Sequence, residues 1–223
     1  MMNLALIVLL PFAGSLLPFA AGRARRFWCT LAAVIPAALT LLLLIPYAPG
    51  VLGSETFVFH QPWLDAAGMS LSLRLDGLSF VFVLLVSGIG LLVTLYAHYY
   101  LSAKDPIGRF YVYLLWFMGS MLGVVLSENL LLLFFFWELT SLSSFLLIGY
   151  WTHDSDARKG ARMALIVTGG GGLALLAGIL LLGRMAGSYE LSIVLASGDL
   201  IRNHALYPAA LVLILLGVFT KSA

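Results

Sequence analysis

Long apolar blocks alternate with short polar ones along this chain, and the length of the blocks decides the fold. The blocks fall at roughly 3–21, 28–47, 78–100, 110–127, 130–150, 163–183 and 205–223. Each is near the ~20 residues that a helix needs to cross a hydrocarbon core about 30 Å thick. In that solvent every backbone N–H and C=O must be satisfied internally, which a helix does. The pattern therefore predicts an all-α, polytopic transmembrane helical bundle with seven spans. The last block is short for a full crossing: Pro208 to Lys221 is thirteen steps, or about 20 Å at 1.5 Å per residue. Its end is expected inside the bilayer, with the chain as the front part of a longer polypeptide.

Two stretches interrupt this rhythm. Residues 48–77 hold Pro49, Gly50, Gly53 and Pro62, followed by the alternating MSLSLRLDG, the pattern of a short hairpin outside the membrane. Residues 186–204 carry Ser188, Glu190, Ser197, Gly198, Asp199 and Arg202 around the apolar LSIVLA. That core is too short to span and is expected at the interface.

Composition removes the competing classes. An apolar share of 62%, a charged share of 10% and a mean hydropathy of +1.06 are far beyond what a soluble domain of this length needs. A lone Cys29 offers neither a disulfide framework nor a cysteine-based metal or redox motif. No basic tract interleaved with aromatics points to nucleic acid. The first block is read as an uncleaved helix, because the basic cluster Arg23, Arg25 and Arg26 follows it instead of preceding it.

Charge bias sets the direction. With the N-terminus outside, the inward loops carry Arg23, Arg25, Arg26, Lys104, Arg109, Arg158, Lys159 and Arg162, against Arg74, Arg184 and Arg202 in the outward ones. Eight against three favours this orientation by the positive-inside rule. It places residues 48–77 and 184–204 outside, and it makes the seventh helix run inward.

Within this frame Glu138 needs the most explanation. It is the ninth residue of LLLLFFFWELTSLSSFLLIGY, a depth at which a charge costs several kcal/mol and persists only with a partner or a water-filled path. One reading is a structural polar residue bonded across a helix interface. The other is a protonatable site, since low dielectric favours the neutral carboxyl and a nearby cation favours the charged one. Thr140, Ser141, Ser143 and Ser144 follow, and Ser141 at i+3 shares the glutamate's face. Lys221 is the natural counter-ion, unless it snorkels to the surface.

Other candidates are weaker. Lys159, Arg158 and Arg162, beside Asp154 and Asp156, read as an inner-surface anchor or as part of a lateral chain of ionisable groups. Gly169 to Gly172 lacks the Lys-Ser/Thr of a phosphate loop. It suggests close helix approach or a local helix break. His98 is a proton-relay candidate or a histidine satisfied at the interface. His60, His153 and His204 have no metal-site spacing. Glu128, at the outer mouth, is a cation-attracting candidate or a plain loop carboxylate. No metal or cofactor is expected.

The segment FYVYLLWFMGSMLGVVLSENLLLLFFFWELTSLSSFLLIGYW (110–151), the terminal GVFTKSA and the earlier LRLDGLSFVF resemble the antiporter-like proton-translocating subunits shared by respiratory complex I, chain L type, and the multisubunit Na⁺/H⁺ antiporters. The WELTSLSSFLLIGYW form looks most like the N-terminal part of the large A-type subunit in the Mrp, Mnh or Pha antiporters. The resemblance implies an inverted-repeat fold, of which this chain is an N-terminal fragment. It also implies that Glu138 and Lys221 form the ion pair of a proton half-channel, and that inward proton movement drives export of Na⁺ or another monovalent cation. Partners would be the other antiporter subunits, in a bacterial cell membrane. The organisation it implies is a two-helix region with the start of the outer loop (1–64), a signature segment with the third helix (65–109) and the start of the proton-translocating domain (110–223). Where relatives carry lysine in a GAxKALLVT stretch, this chain has Met163, with Arg162 adjacent. The alternatives are the proton-translocating subunit of complex I, or a truncated assembly subunit that transports nothing.

Overall fold

A computed structural model describes residues 3–21, 26–64 and 68–222. Arg23 and Arg25, counted above in the charge bias, lie outside the described residues. Two apolar helices, α1 (Asn3–Gly14) and α2 (Leu16–Ala20), form the first block. They part at Ser15, whose hydroxyl turns back to the Phe12 carbonyl at 2.6 Å. Next come α3 (Arg26–Leu44), a 3₁₀ turn over Ile45–Tyr47, and the short α4 (Ala48–Leu52).

The loop read as a hairpin is one. Strand β1 (Phe57–Leu64) pairs antiparallel with β2 (Met69–Leu75), with a register shift between Pro62 and Leu64. Alternation along β2 puts Leu73 and Leu75 into the core. The intervening Ser70 and Ser72 are also buried, because another segment closes over them, as described below.

Helix α5 (Gly77–Tyr100) opens with a capping box in which Asp76 Oδ1 accepts from the Ser79 amide at 3.0 Å. It is followed by α6 (Ile107–Leu126), α7 (Leu130–Ile148) and α8 (Ser155–Ala186). The last of these starts eight residues before the sixth apolar block. Asp154 caps it by accepting from the Asp156 amide at 2.8 Å, and its polar first turns carry the helix beyond the apolar stretch. It ends at Gly187, whose φ of 72° is the left-handed conformation that suits glycine at this position. The short helices α9 (Leu191–Ala196) and α10 (Gly198–Arg202) cover the segment expected at the interface, and α11 (Tyr207–Lys221) completes the described chain.

Among the described residues, five helices are long and apolar enough to cross a membrane, and Leu4–Ala20 and Tyr207–Lys221 are shorter apolar helices. Two cores share the bundle. One joins α1, α3, α5 and α6 around Ile7, Ala33, Tyr111, Leu115 and Leu122, and includes Leu132 and Phe136 of α7. The other joins α7, α8 and α11 through Leu130, Leu175, Ile179 and Ala210. Helix α7 thus stands between them, and it carries Glu138.

The ends of the bundle differ in chemistry. At the hairpin end, backbone bonds stitch three connections together: Glu128 N–H to Ser72 C=O at 2.8 Å, Leu130 N–H to Tyr189 C=O at 2.8 Å, and Leu191 N–H to Glu128 C=O at 2.7 Å. At the opposite end, Arg26 donates to the carbonyls of His98 and Ser102 at 2.8 and 3.1 Å, Arg109 to that of Tyr150 at 3.0 Å, and Arg158 to that of Thr152. Lys104, in the connection before α6, and Lys159, in the first turns of α8, lie at this same end.

Candidate functional site

Helix α8 brings the site together although neither principal residue lies on it. Helices α7 and α11 both pack on α8. Its glycine run provides the approach: the bare face of Gly172 lies against Glu138 Oε1, and that of Gly171 against the Thr220 side chain of α11. A Cβ at either position would overlap those atoms. The run is continuous helix, so of the two roles its sequence suggested, close approach is the one realised.

Glu138 is half-buried, and its Oε1 has no hydrogen-bond partner among the described residues. Lys221, also half-buried, donates from Nζ to Ser141 Oγ at 2.7 Å and lies 5.5 Å from the centre of the Trp137 ring. No ion pair within 4.0 Å joins Glu138 and Lys221 among the described residues. The ammonium instead sits one turn along α7 from the carboxylate. Ser141 is eleven residues into α7, about 17 Å from its start at 1.5 Å per residue, so Lys221 lies at mid-helix depth and does not reach toward an end.

The neighbouring hydroxyls face their own helix. Thr140 donates to the Trp137 carbonyl at 2.7 Å and Ser143 to that of Leu139 at 2.7 Å. Ser141 alone among them combines a weak bond to its own helix, 3.5 Å to the Trp137 carbonyl, with a partner on another helix. The site therefore holds a carboxylate, a hydroxyl and an ammonium in sequence, with an indole ring beside the cation.

The remaining sequence candidates lie elsewhere. His98 meets the Thr30 hydroxyl at 2.7 Å, in a cluster continued by Tyr111 at 3.0 Å, near the arginine end. Lys159 is exposed and paired with Asp156 at 3.7 Å. Arg162 is exposed, its Nε 3.4 Å from the Arg158 carbonyl, and Met163 is 65% exposed. Glu128 is buried at the hairpin end, where its Oε1 accepts from the Ser192 amide at 3.1 Å and its Oε2 lies 3.8 Å from Arg74. Among the described residues no group of His, Cys, Asp and Glu forms a metal-holding cluster.

Sequence reading missed Asn129. It is buried, and its Oδ1 caps α7 by accepting from the Leu131 and Leu132 amides at 3.0 and 3.3 Å. Its Nδ2 donates to the Gly68 carbonyl, Ser70 Oγ and Glu190 Oε1 at 3.0, 3.2 and 3.0 Å. Glu190 Oε1 also accepts from Ser70, so it closes the hairpin's serine face. An asparagine just before a long apolar run was the available signal.

Two family models match separate stretches of the chain. One, described as NADH:quinone oxidoreductase/Mrp antiporter, TM, covers residues 127–223. The other, described as NADH-Ubiquinone oxidoreductase (complex I), chain 5 N-terminus, covers residues 63–111. A probable A/B subunit of a K⁺/H⁺ antiporter from Rhizobium meliloti is 50% identical over 99% of this chain and 22% of its own length. The A subunit of the Na⁺/H⁺ antiporter of Alkalihalophilus pseudofirmus is 44% identical over 93% of this chain and 26% of its own length. Among solved structures, the Mrp complex of a Dietzia species contains a chain that superposes with a TM-score of 0.87 at 32% identity, covering 99% of this chain and 24% of that one. An archaeal membrane-bound sulfane sulfur reductase complex shares the fold, with a TM-score of 0.79 at 23% identity over 98% of this chain and 34% of that one. The chain thus spans about a quarter of the length of the curated relatives it matches.

Proposed function

Since the chain belongs to the family of membrane subunits shared by NADH:quinone oxidoreductase and the Mrp antiporters, we propose that it forms the front of the large A-type subunit in a multisubunit monovalent-cation/proton antiporter, with Glu138 and Lys221 as the proton-handling pair of one half-channel. The observation that carries this reading is the Lys221 ammonium at mid-depth, held by Ser141 one turn from an unpartnered Glu138 oxygen. In one state the ammonium rests on Ser141 and the carboxyl holds a proton. In the other the proton has left, and the charged carboxylate attracts the ammonium from the hydroxyl.

The magnitudes suit such an exchange. A hydrogen bond to a charged group contributes about 1.5–3 kcal/mol, and moving one charge through 100 mV is worth about 2.3 kcal/mol. The membrane potential is then comparable with the contact that must be given up. Antiport is preferred to quinone-coupled proton transfer because the relatives at 44–50% identity are named as A or A/B subunits of antiporters. The cation exported is Na⁺ or another monovalent ion, K⁺ included, since those relatives carry different ions in their names.

The chain is a multi-pass membrane protein. We place it in the bacterial cell membrane with the arginine end toward the cytoplasm and the N-terminus outside. Arg26, Lys104, Arg109, Arg158, Lys159 and Arg162 at that end support this orientation. The partners are the other antiporter subunits, and the ions carried are H⁺ and the monovalent cation.

The test uses everted vesicles containing the complete complex, with cation-induced pH change followed separately for Na⁺ and K⁺. Glu138→Gln and Lys221→Ala are expected to lower the initial rate at least about ten-fold with the complex still assembled. Unchanged transport in Glu138→Gln would sink the half-channel reading and leave an assembly role for this region.

A further inference from the structure

At the arginine end a cavity of about 390 Å³ opens between α6, α7 and α8. We propose that it binds the phosphate headgroup of an anionic membrane lipid. The inference is independent of antiport and rests only on the chain being in a membrane.

Four observations lead to this ligand. Arg109, Arg158 and Arg162, from α6 and α8, all line the cavity. Each has a backbone carbonyl as hydrogen-bond partner: that of Tyr150 for Arg109, Thr152 for Arg158 and Arg158 for Arg162. A guanidinium has five N–H donors in a fork that suits phosphate oxygens, so most of this donor capacity is unused. None of the three forms an ion pair within 4.0 Å among the described residues. The nearby carboxylates are engaged elsewhere: Asp105 accepts from the Trp151 indole and the Ser102 amide, Asp154 caps α8, and Asp156 pairs with Lys159.

The second observation is Tyr150. It lines the same cavity, is only 3% exposed, and its hydroxyl has no hydrogen-bond partner among the described residues. A buried phenol without an acceptor carries a desolvation cost, which a phosphate oxygen would remove. Third, the Arg109 guanidinium lies 5.3 Å from the Tyr150 ring centre, which holds it in place before any ligand arrives. Fourth, Phe145, Leu146 and Ala161 give the wall an apolar part. Free phosphate has no use for an apolar wall, whereas the glycerol and upper acyl carbons of a lipid do. The cavity also lies at the helix ends, where lipid headgroups are found, and basic pockets between transmembrane helices are the usual form of such sites.

The experiment uses the complete complex, delipidated in detergent, with spin-labelled phosphatidylglycerol and phosphatidylcholine as probes. The wild type should retain phosphatidylglycerol about ten-fold better than phosphatidylcholine, and Arg109→Gln/Arg162→Gln should abolish that preference. Tyr150→Phe should weaken it a few-fold, and Arg109→Lys/Arg162→Lys should keep part of it, which separates lost binding from lost folding. Lys104→Gln/Lys159→Gln, at the same end but off the cavity wall, should change little. An equal loss in that control would mean diffuse surface attraction and overturn the site. Displacement of the lipid by inorganic phosphate at matched ionic strength would reassign the site to a free anion, and a preference that survives the arginine-to-glutamine changes would refute it.

Discussion

The Lys221 ammonium is bonded to the Ser141 hydroxyl at 2.7 Å, one turn of α7 from Glu138, and makes no ion pair with the Glu138 carboxylate within 4.0 Å. A permanent buried ion pair is difficult to separate, because each charge is left costly without the other. In the half-channel proposed above, the Ser141 hydroxyl would offer the ammonium a second partner at a cost comparable with the driving force.

Ser141→Ala should therefore slow transport without preventing assembly. With the hydroxyl gone, the Trp137 ring at 5.5 Å is the remaining aromatic support for the cation. Losing a bond worth about 1.5–3 kcal/mol is expected to reduce cation-driven proton flux by roughly ten-fold, with Ser141→Thr largely restoring it. Initial rates in everted vesicles at matched complex levels measure this. A wild-type rate in the alanine variant would remove Ser141 from the path.

Single methyl groups on neighbouring glycines should act in opposite directions. A Cβ at Gly172 overlaps Glu138 Oε1, whereas one at Gly169 or Gly170 meets nothing within 4 Å. Gly172→Ala is expected to destabilise by about 1–3 kcal/mol through overpacking and to impair flux. Gly169→Ala should stabilise by up to ~1 kcal/mol through helix propensity. Thermal melts of the purified complex, read beside transport rates, separate the two.

Asn129→Ala should loosen the hairpin end. It removes an N-cap, worth about 1 kcal/mol, together with the donor group that reaches Gly68, Ser70 and Glu190. Faster proteolytic cleavage within residues 53–69 and a lower melting temperature are expected. Asn129→Asp should recover the cap but not the hairpin, because it places a second carboxylate beside Glu190. Equal proteolysis of the alanine variant and wild type would show that the backbone bonds alone hold the hairpin.

Acid sensitivity should appear at the start of α5. The Ser79 amide bonded to Asp76 holds its carboxyl below the usual range against the opposing effect of burial, helped by the Ser79 hydroxyl, the Arg74 charge and the Leu78 amide. A carboxyl held low in the folded state contributes stability that is complete above the unfolded value of about 3.9 and disappears as pH falls through the folded value. Asp76→Asn should therefore lower the melting temperature near neutral pH and flatten its decline below about pH 4. A decline identical to wild type would assign the acid response to other groups.

Much of this architecture was legible because bilayer thickness translates directly into block length. The five long helices and the hairpin follow from apolar runs and from the alternation in MSLSLRLDG. Helix ends were less visible. The polar turns at the start of α8 continue a helix through capping by Asp154, a signal that hydropathy does not register. The depth of Lys221 follows from counting along its helix, but its bond to Ser141 needs the placement of α7 and α11 on α8, which no linear pattern encodes. Similarly, Arg109 and Arg162 are distant in sequence and share a cavity only because α6 and α8 both start at the same end of the bundle.

Four consecutive glycines also make this part of α8 self-similar. A screw motion of one residue, ~100° of rotation with 1.5 Å of rise, brings Gly171 to where Gly172 faces Glu138 and Gly170 to where Gly171 faces Thr220. A second step presents Gly170 and Gly169 in the same places. Over these four positions the glycines carry no side chain that distinguishes the settings. The angular position of the helix is therefore decided beyond the run, where Leu175 packs against Gly217 and Gly178 admits Ile214, and at its ends by the Asp154 cap and by Tyr189 packed against Gly183. The wall of the site is thus smooth where it meets Glu138 and keyed to α11 by the positions that follow.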